Sequence, residues 1–243
     1  MLRRLVPVLV AAVFASPGAA APSRLAEATT QTTAAGTAAF TLSISGSLGG
    51  ATVTTHERGS LSFRQRAAHV YRLVPNVPIP EEQIIIGAWT YSNANVQNAL
   101  SDPNAKPWVK LDTRKLPKGR RLGELDHVRA LAYLAKGAVG AKQIGPAGTL
   151  THFRGRVEPQ RVIAGTPVAQ RTTMAAVLRT DYSTKPFSAE FWLDGKSRVR
   201  RVRVALKTNG GSTITISGTF TGFGSRVDLK LPPAREIVDI TPK

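Results

Sequence analysis

The side chains best suited to metal or acid–base chemistry are few in this chain: four histidines, fifteen carboxylates and no cysteine. His56, His69, His127 and His152 are scattered, and no pair has the spacing of metal ligands on one helix or turn. His127 stands beside an expected helix cap and His152 within an expected strand, where surface or satisfied core roles suffice. Asp112, Glu124 and Asp126 fall at strand ends, in loops or at caps. No Gly-x-Ser-x-Gly elbow, phosphate loop or dinucleotide fingerprint is present. The glycines of Asn209-Gly210-Gly211 lie between strand-like segments and read as a hairpin turn. Without cysteine there are no disulfides, no thiol nucleophile and no thiolate metal site. These residues assign no catalytic group, no metal site and no cofactor.

What the chain has in quantity is positive charge beside apolar alternation. Lys and Arg number 33 against 15 Asp and Glu, a net charge of +18. The two properties meet in PFSAEFWLDGKSRVRRVRVAL, Pro186 to Leu206. Apolar residues alternate into Asp194-Gly195 and out of it, as in an antiparallel hairpin with one dry face. A three-residue loop over Asp194-Gly195-Lys196 sets Leu193 opposite Ser197 and Phe191 opposite Val199. Val199 and Val202 are three apart and cannot share a face by simple alternation. A β-bulge at Arg200-Arg201 solves this, aligning Ala189 with Val202 and Phe187 with Val204. The same register sets Trp192 beside Arg198 and Glu190 beside the bulged arginines. Arg198, Arg200, Arg201 and Arg203 then form a basic outer face suited to anionic surfaces.

The elements around this hairpin follow from the rest of the chain. Arg3 and Arg4, the apolar run Leu5 to Phe14 and the small residues Ser16 to Ala20 read as an export signal over residues 1–20. Residues 21–243 then form a single domain. In an exported protein the partners of a basic surface are anionic lipid head groups and wall polymers, not nucleic acid. A helix is expected over Ser23–Thr33, with Leu25, Ala28, Thr29 and Thr32 on one face. Strands are expected at Ala38–Gly46, Ala51–His56, Gly59–Arg66, Ala68–Val74, Gln83–Ser92, Pro107–Asp112, Thr149–Glu158, Ser212–Phe220 and Val227–Leu231. In Gln83–Ser92, Ile84 and Ile86 share one face and Ile85, Trp89 and Tyr91 the other. Pro75, Pro78 and Pro80 make a loop. Helices are expected over Asp126–Lys136, capped by Asp126, and over Thr166–Leu178, with Pro167 at its first position. The fold class is α+β: nine to eleven strands in a curled antiparallel half-barrel, its apolar face lidded by two or three helices.

Taken in order, AAGTAAFTLSISGS, EEQIIIGAWTYSN, PWVKLD, LDHVRALAYLAKGA, TLTHFRGRVE and the hairpin resemble the LppX/LprAFG-type exported lipoproteins of actinobacteria, related in fold to the LolA/LolB carriers. The resemblance runs from Ala34 to Asp239. It implies a half-barrel whose concave face, lidded by helices, binds the acyl chains of lipids or lipoglycans. Members of that family usually carry a cysteine at the mature N-terminus, which this chain lacks. The protein is thus expected in the periplasm or cell envelope, or secreted, without a cysteine-linked anchor, touching anionic membranes transiently.

The function expected is noncatalytic lipid binding or transfer. Cavity residues from the sheet would be Phe40, Leu42, Ile44, Leu61, Phe63, Ile84, Ile86, Val109, Leu111, Phe153, Phe187, Phe191, Val202 and Val204. Val128, Leu131 and Leu134 would join them from the lid. Two alternatives remain open here: an envelope sensor of the same fold, and a structural protein that binds wall polymer through its charge.

Overall fold

The computed structural model describes residues 21–48, 51–73, 79–94, 100, 102, 104–117, 124–207 and 212–242. The expected export signal, the Gly49-Gly50 turn, Pro75, Pro78 and Asn209-Gly210-Gly211 lie outside the described residues. Helix α1 (Ala21–Ala34) forms although four threonines oppose it, because its stripe of Leu25, Ala28, Thr29 and Thr32 is wholly buried. The threonine hydroxyls are satisfied: Thr29 Oγ1 donates to the Ala132 carbonyl and Thr32 Oγ1 to that of Ala28.

Twelve strands follow among the described residues: β1 (Thr37–Leu48), β2 (Ala51–Ser62), β3 (Ala67–Leu73), β4 (Glu81–Ile86), β5 (Trp89–Ser92), β6 (Trp108–Asp112), β7 (Ala138–Ala147), β8 (Leu150–Val157), β9 (Phe187–Leu193), β10 (Val199–Lys207), β11 (Thr213–Thr221) and β12 (Ile237–Asp239). They make one sheet in the order β12-β6-β5-β4-β3-β2-β1-β11-β10-β9-β8-β7. Every pairing is antiparallel except that of β12 with β6. A twisted sheet of this width curls, and here it stays open, with β7 and β12 at its edges. Helices α1, α2 (Glu124–Tyr133), α3 (Pro159–Gly165) and α4 (Arg171–Val177) bring apolar faces to the core on one side of it. This is the expected α+β half-barrel with a helical lid.

Several local expectations are corrected. Gln83–Ser92 is two strands, because Gly87 takes φ +60° and turns the chain between Ile86 and Trp89. Ile85 packs in the core, so Ile84, Ile86, Trp89 and Tyr91 share the outer face. Ala51–Ser62 is a single strand. The helix expected over Thr166–Leu178 is broken. Pro167 forces Thr166 into extended backbone, so α3 ends there, and Pro159 instead occupies a first-turn position of that helix. Arg171 caps the end of α3, donating to the Thr166 and Ala164 carbonyls. Asp126 lies inside α2, which begins at Glu124. Val227–Leu231 is not a strand. It belongs to the connection from β11 to β12, which passes Tyr71, where Asp228 adds to the effect of burial in raising the phenol's pKa.

The hairpin has its bulge, between Val199 and Arg201, but a register two residues from that expected. The loop holds five residues, 194–198. Asp194 accepts hydrogen bonds from the backbone N–H groups of Lys196 and Arg198, and Ser197 adopts φ +57°. Val199 therefore pairs with Leu193, Val202 with Phe191 and Val204 with Ala189. The Val199 N–H donates to Thr32 Oγ1 of α1 at 2.8 Å, a buried hydrogen bond beside the bulge.

Candidate functional site

Cross-strand rows on the inner face build the floor beneath the lid. One row runs Leu42, Gly218, Val202, Phe191, Phe153, and the next runs Ile44, Ile216, Val204, Ala189. Over much of this floor the lid sits tightly. Val128 and Leu131 of α2, Leu134 of the 3₁₀ turn that follows it, Val162 of α3, and Met174 and Val177 of α4 join it in one buried cluster. Gly218 carries no side chain where Leu131 presses down, and a Cβ there would stand 2.5 Å from Leu131 Cδ1.

Toward the far end of β1 the cover thins. Ile44 and Ile214 are only partly buried, and a cleft of about 360 Å³ opens between the sheet and the lid. Its apolar floor is Leu42, Ile44, Ile214 and Ile216, with Tyr182 from the segment after α4. Its rim is polar. Glu57, 4% exposed, lies on the inner face opposite Leu42. Arg72 donates to it at 3.0 Å and reaches Glu81 at 3.3 Å. From the lid, His127 Nδ1 and Asp181 Oδ2 pair across the helices. Burial pushes the Tyr182 phenol up, and the charges of Asp181 and Glu57 push it further, so it stays neutral. A cleft with a dry floor and a charged rim suits an amphiphile, its apolar part inward.

The expected cavity residues divide unevenly. Phe40, Leu42, Leu61, Phe63, Phe153, Phe187, Phe191, Val202 and Val204 share one buried cluster with Val128, Leu131 and Leu134, and Ile44 packs against it. Within this group only Leu42 and Ile44 line the cleft. Leu61, Phe153, Phe191, Val202 and Val204 are fully buried packed core. Ile84, Ile86, Val109 and Leu111 stand outside the cluster. Ile214, Ile216 and Tyr182 escaped the cavity list, although the alternation of TITIS in β11 marked its two isoleucines as one face.

The four hairpin arginines do not share one face. Arg198 turns back onto Asp194, with Nη2 at 2.7 Å, and lies over Phe223; Arg200 also lies over Phe223. Arg201 and Arg203 are exposed on the outer face, Arg201 over the Trp192 ring and Arg203 opposite Glu190. Arg154 and Arg156 of β8 extend that basic strip across β9. Three histidines pair with carboxylates: His69 with Glu82, His127 with Asp181 and His152 with Glu190. His56 is exposed. Among the described residues no three His, Asp or Glu side chains gather into a metal set.

No protein-family model and no curated protein sequence matches the chain. Solved structures do. Lipoprotein LppX of Mycobacterium tuberculosis aligns with a TM-score of 0.51 at 13% identity, over 86% of this chain and 99% of that one. LprF of Mycobacterium bovis aligns with a TM-score of 0.52 at 11% identity, over 90% of this chain and 99% of that one. The architecture is therefore that of LppX and LprF, at sequence identities that speak for fold alone.

Proposed function

We propose that the protein is a noncatalytic lipid carrier of the cell envelope, holding acyl chains in the cleft between sheet and lid. The observation that carries this is the apolar floor of Leu42, Ile44, Ile214 and Ile216, where the helical cover thins and leaves Ile44 and Ile214 only partly buried. Each methylene that leaves water for such a floor contributes roughly 0.8 kcal/mol. The volume lies within the usual range of ligand pockets. The residues 1–20 would direct export, and Arg201 and Arg203, with Arg154 and Arg156, would favour approach to anionic membranes.

Two measurements test this. Solvent extraction of the purified protein followed by mass spectrometry should recover co-purified lipid. In parallel, Ile44→Gln should weaken binding of a fluorescent fatty acid by about tenfold or more, since one buried isoleucine is worth roughly 1.5–3 kcal/mol. Equal affinity in wild type and Ile44→Gln would sink the assignment of the cleft.

A further inference from the structure

A second hollow, of about 430 Å³, shares no lining residue with the apolar cleft, and its chemistry differs. Among the described residues, four arginines line it from three places in the chain. Arg64 and Arg66 come from the turn between β2 and β3, Arg114 from the short 3₁₀ turn after β6, and Arg129 from α2. Such convergence is opposed by like-charge repulsion.

The arginines are held in place by main-chain carbonyls as well as by carboxylates. Arg129 is 8% exposed, and it donates to the main-chain carbonyls of Ser62 and Gln65, which carry no formal charge. Arg64 donates to the Ala34 carbonyl at 2.9 Å. Arg66 reaches Asp126 at 3.6 Å and Thr113 Oγ1 at 3.2 Å, and Arg114 clasps Asp112. Among the described residues, four guanidinium groups here meet two carboxylates. Burial lowers the proton affinity of Arg129; Asp126 and Tyr133 oppose that shift, and Arg66 adds to it. The deep wall is apolar, made by Met174 and Val177 of the core cluster.

We propose that this hollow binds a phosphate ester, its oxyanion among Arg64, Arg66, Arg114 and Arg129 and its organic part against Met174 and Val177. A tetrahedral phosphate offers several guanidinium groups an oxygen each, whereas one carboxylate is satisfied by a single fork. The site is separate from the acyl cleft, and its occupancy does not depend on lipid being carried there. Soluble phosphate esters and phospholipid head groups share this chemistry.

Calorimetric titration of the full chain at low ionic strength tests it. Glycerol 3-phosphate should bind saturably with a Kd of about 1 mM or tighter, and glycerol should not bind. Arg64→Gln with Arg114→Gln, both exposed positions, should weaken it by about tenfold or more with an unchanged circular dichroism spectrum. Lys142→Gln with Lys207→Gln removes the same charge elsewhere and should leave the Kd unaltered. Monomeric dihexanoyl phosphatidic acid binding tighter than glycerol 3-phosphate would assign the site to lipid head groups; equal binding would assign it to soluble esters. No saturable binding by wild type, or an equal loss in both double variants, would overturn the proposal. Loss of fatty-acid binding in Ile44→Gln bears only on the cleft, so the two readings fail separately.

Discussion

Gly218 couples the lid to the sheet, and a double-mutant cycle with Leu131 measures that coupling. An alanine methyl at position 218 would stand 2.5 Å from Leu131 Cδ1 and 3.9 Å from Leu42 Cδ1. Leu131 is 1% exposed, so it cannot swing into water to make room. Overpacking of this kind costs about 1–3 kcal/mol. Replacing a strand glycine by alanine contributes about 0.5–1 kcal/mol in the opposite sense. Gly218→Ala should therefore destabilise the wild type by roughly 0.5–2 kcal/mol. Leu131→Ala alone should cost about 2–5 kcal/mol. In that background the clash is gone and the strand preference remains, so Gly218→Ala should now stabilise by about 0.5–1 kcal/mol. The reversal of sign, a coupling of about 1–3 kcal/mol, is read from urea unfolding followed by tryptophan fluorescence. A cost for Gly218→Ala of the same sign and size in both backgrounds would refute the contact as the reason for glycine here.

Three further outcomes follow from single contacts. Thr32→Val removes the acceptor of the buried Val199 N–H and should cost about 1–3 kcal/mol in urea unfolding, with amide exchange at Val199 accelerated. Asp194→Ala removes the acceptor of two loop N–H groups and of the Arg198 side chain, and should lower stability by about 1–2 kcal/mol. Burial raises the Asp194 pKa, but the hydrogen bonds from Arg198 and Lys196 outweigh it and the net shift is downward. That contribution is present above the ordinary carboxylate pKa and fades as pH falls below it, so the cost of Asp194→Ala should shrink in acid. Arg114, hydrogen-bonded to Asp112, holds its carboxyl down at about 2, so its NMR titration should centre there and move back toward 3.8 in Arg114→Gln.

Much of the architecture is legible in one dimension because strand alternation and helical stripes are local properties. The inner face of β1, the buried stripe of α1 and the dry side of the hairpin were all readable from spacing. So was the bulge, since Val199 and Val202 cannot both face the core across an unbroken strand. Its register was not, because the loop length depends on Asp194 turning to accept two N–H groups, and Thr32 binds beside it from 167 residues away. Strand β7 contains Gly140 and Pro146 and exposes Ile144; its pairing with β8 accounts for it better than its own alternation. Strand β12 has three residues and exists through its parallel pairing with β6.

By itself, then, the sequence determined that one apolar sheet face needed a helical cover, and that the hairpin carried charge on its other side. Those conclusions follow from the alternation of side chains and from composition. Only the tertiary structure decided where the cover is incomplete. It packed Phe153, Phe191 and Val204 into solid core and left Ile44 and Ile214 at an open cleft. It also turned Arg198 and Arg200 away from the basic strip and gathered Arg64, Arg66, Arg114 and Arg129 around one hollow. Both results depend on how residues far apart in the chain meet, and no periodicity along a strand or helix records that.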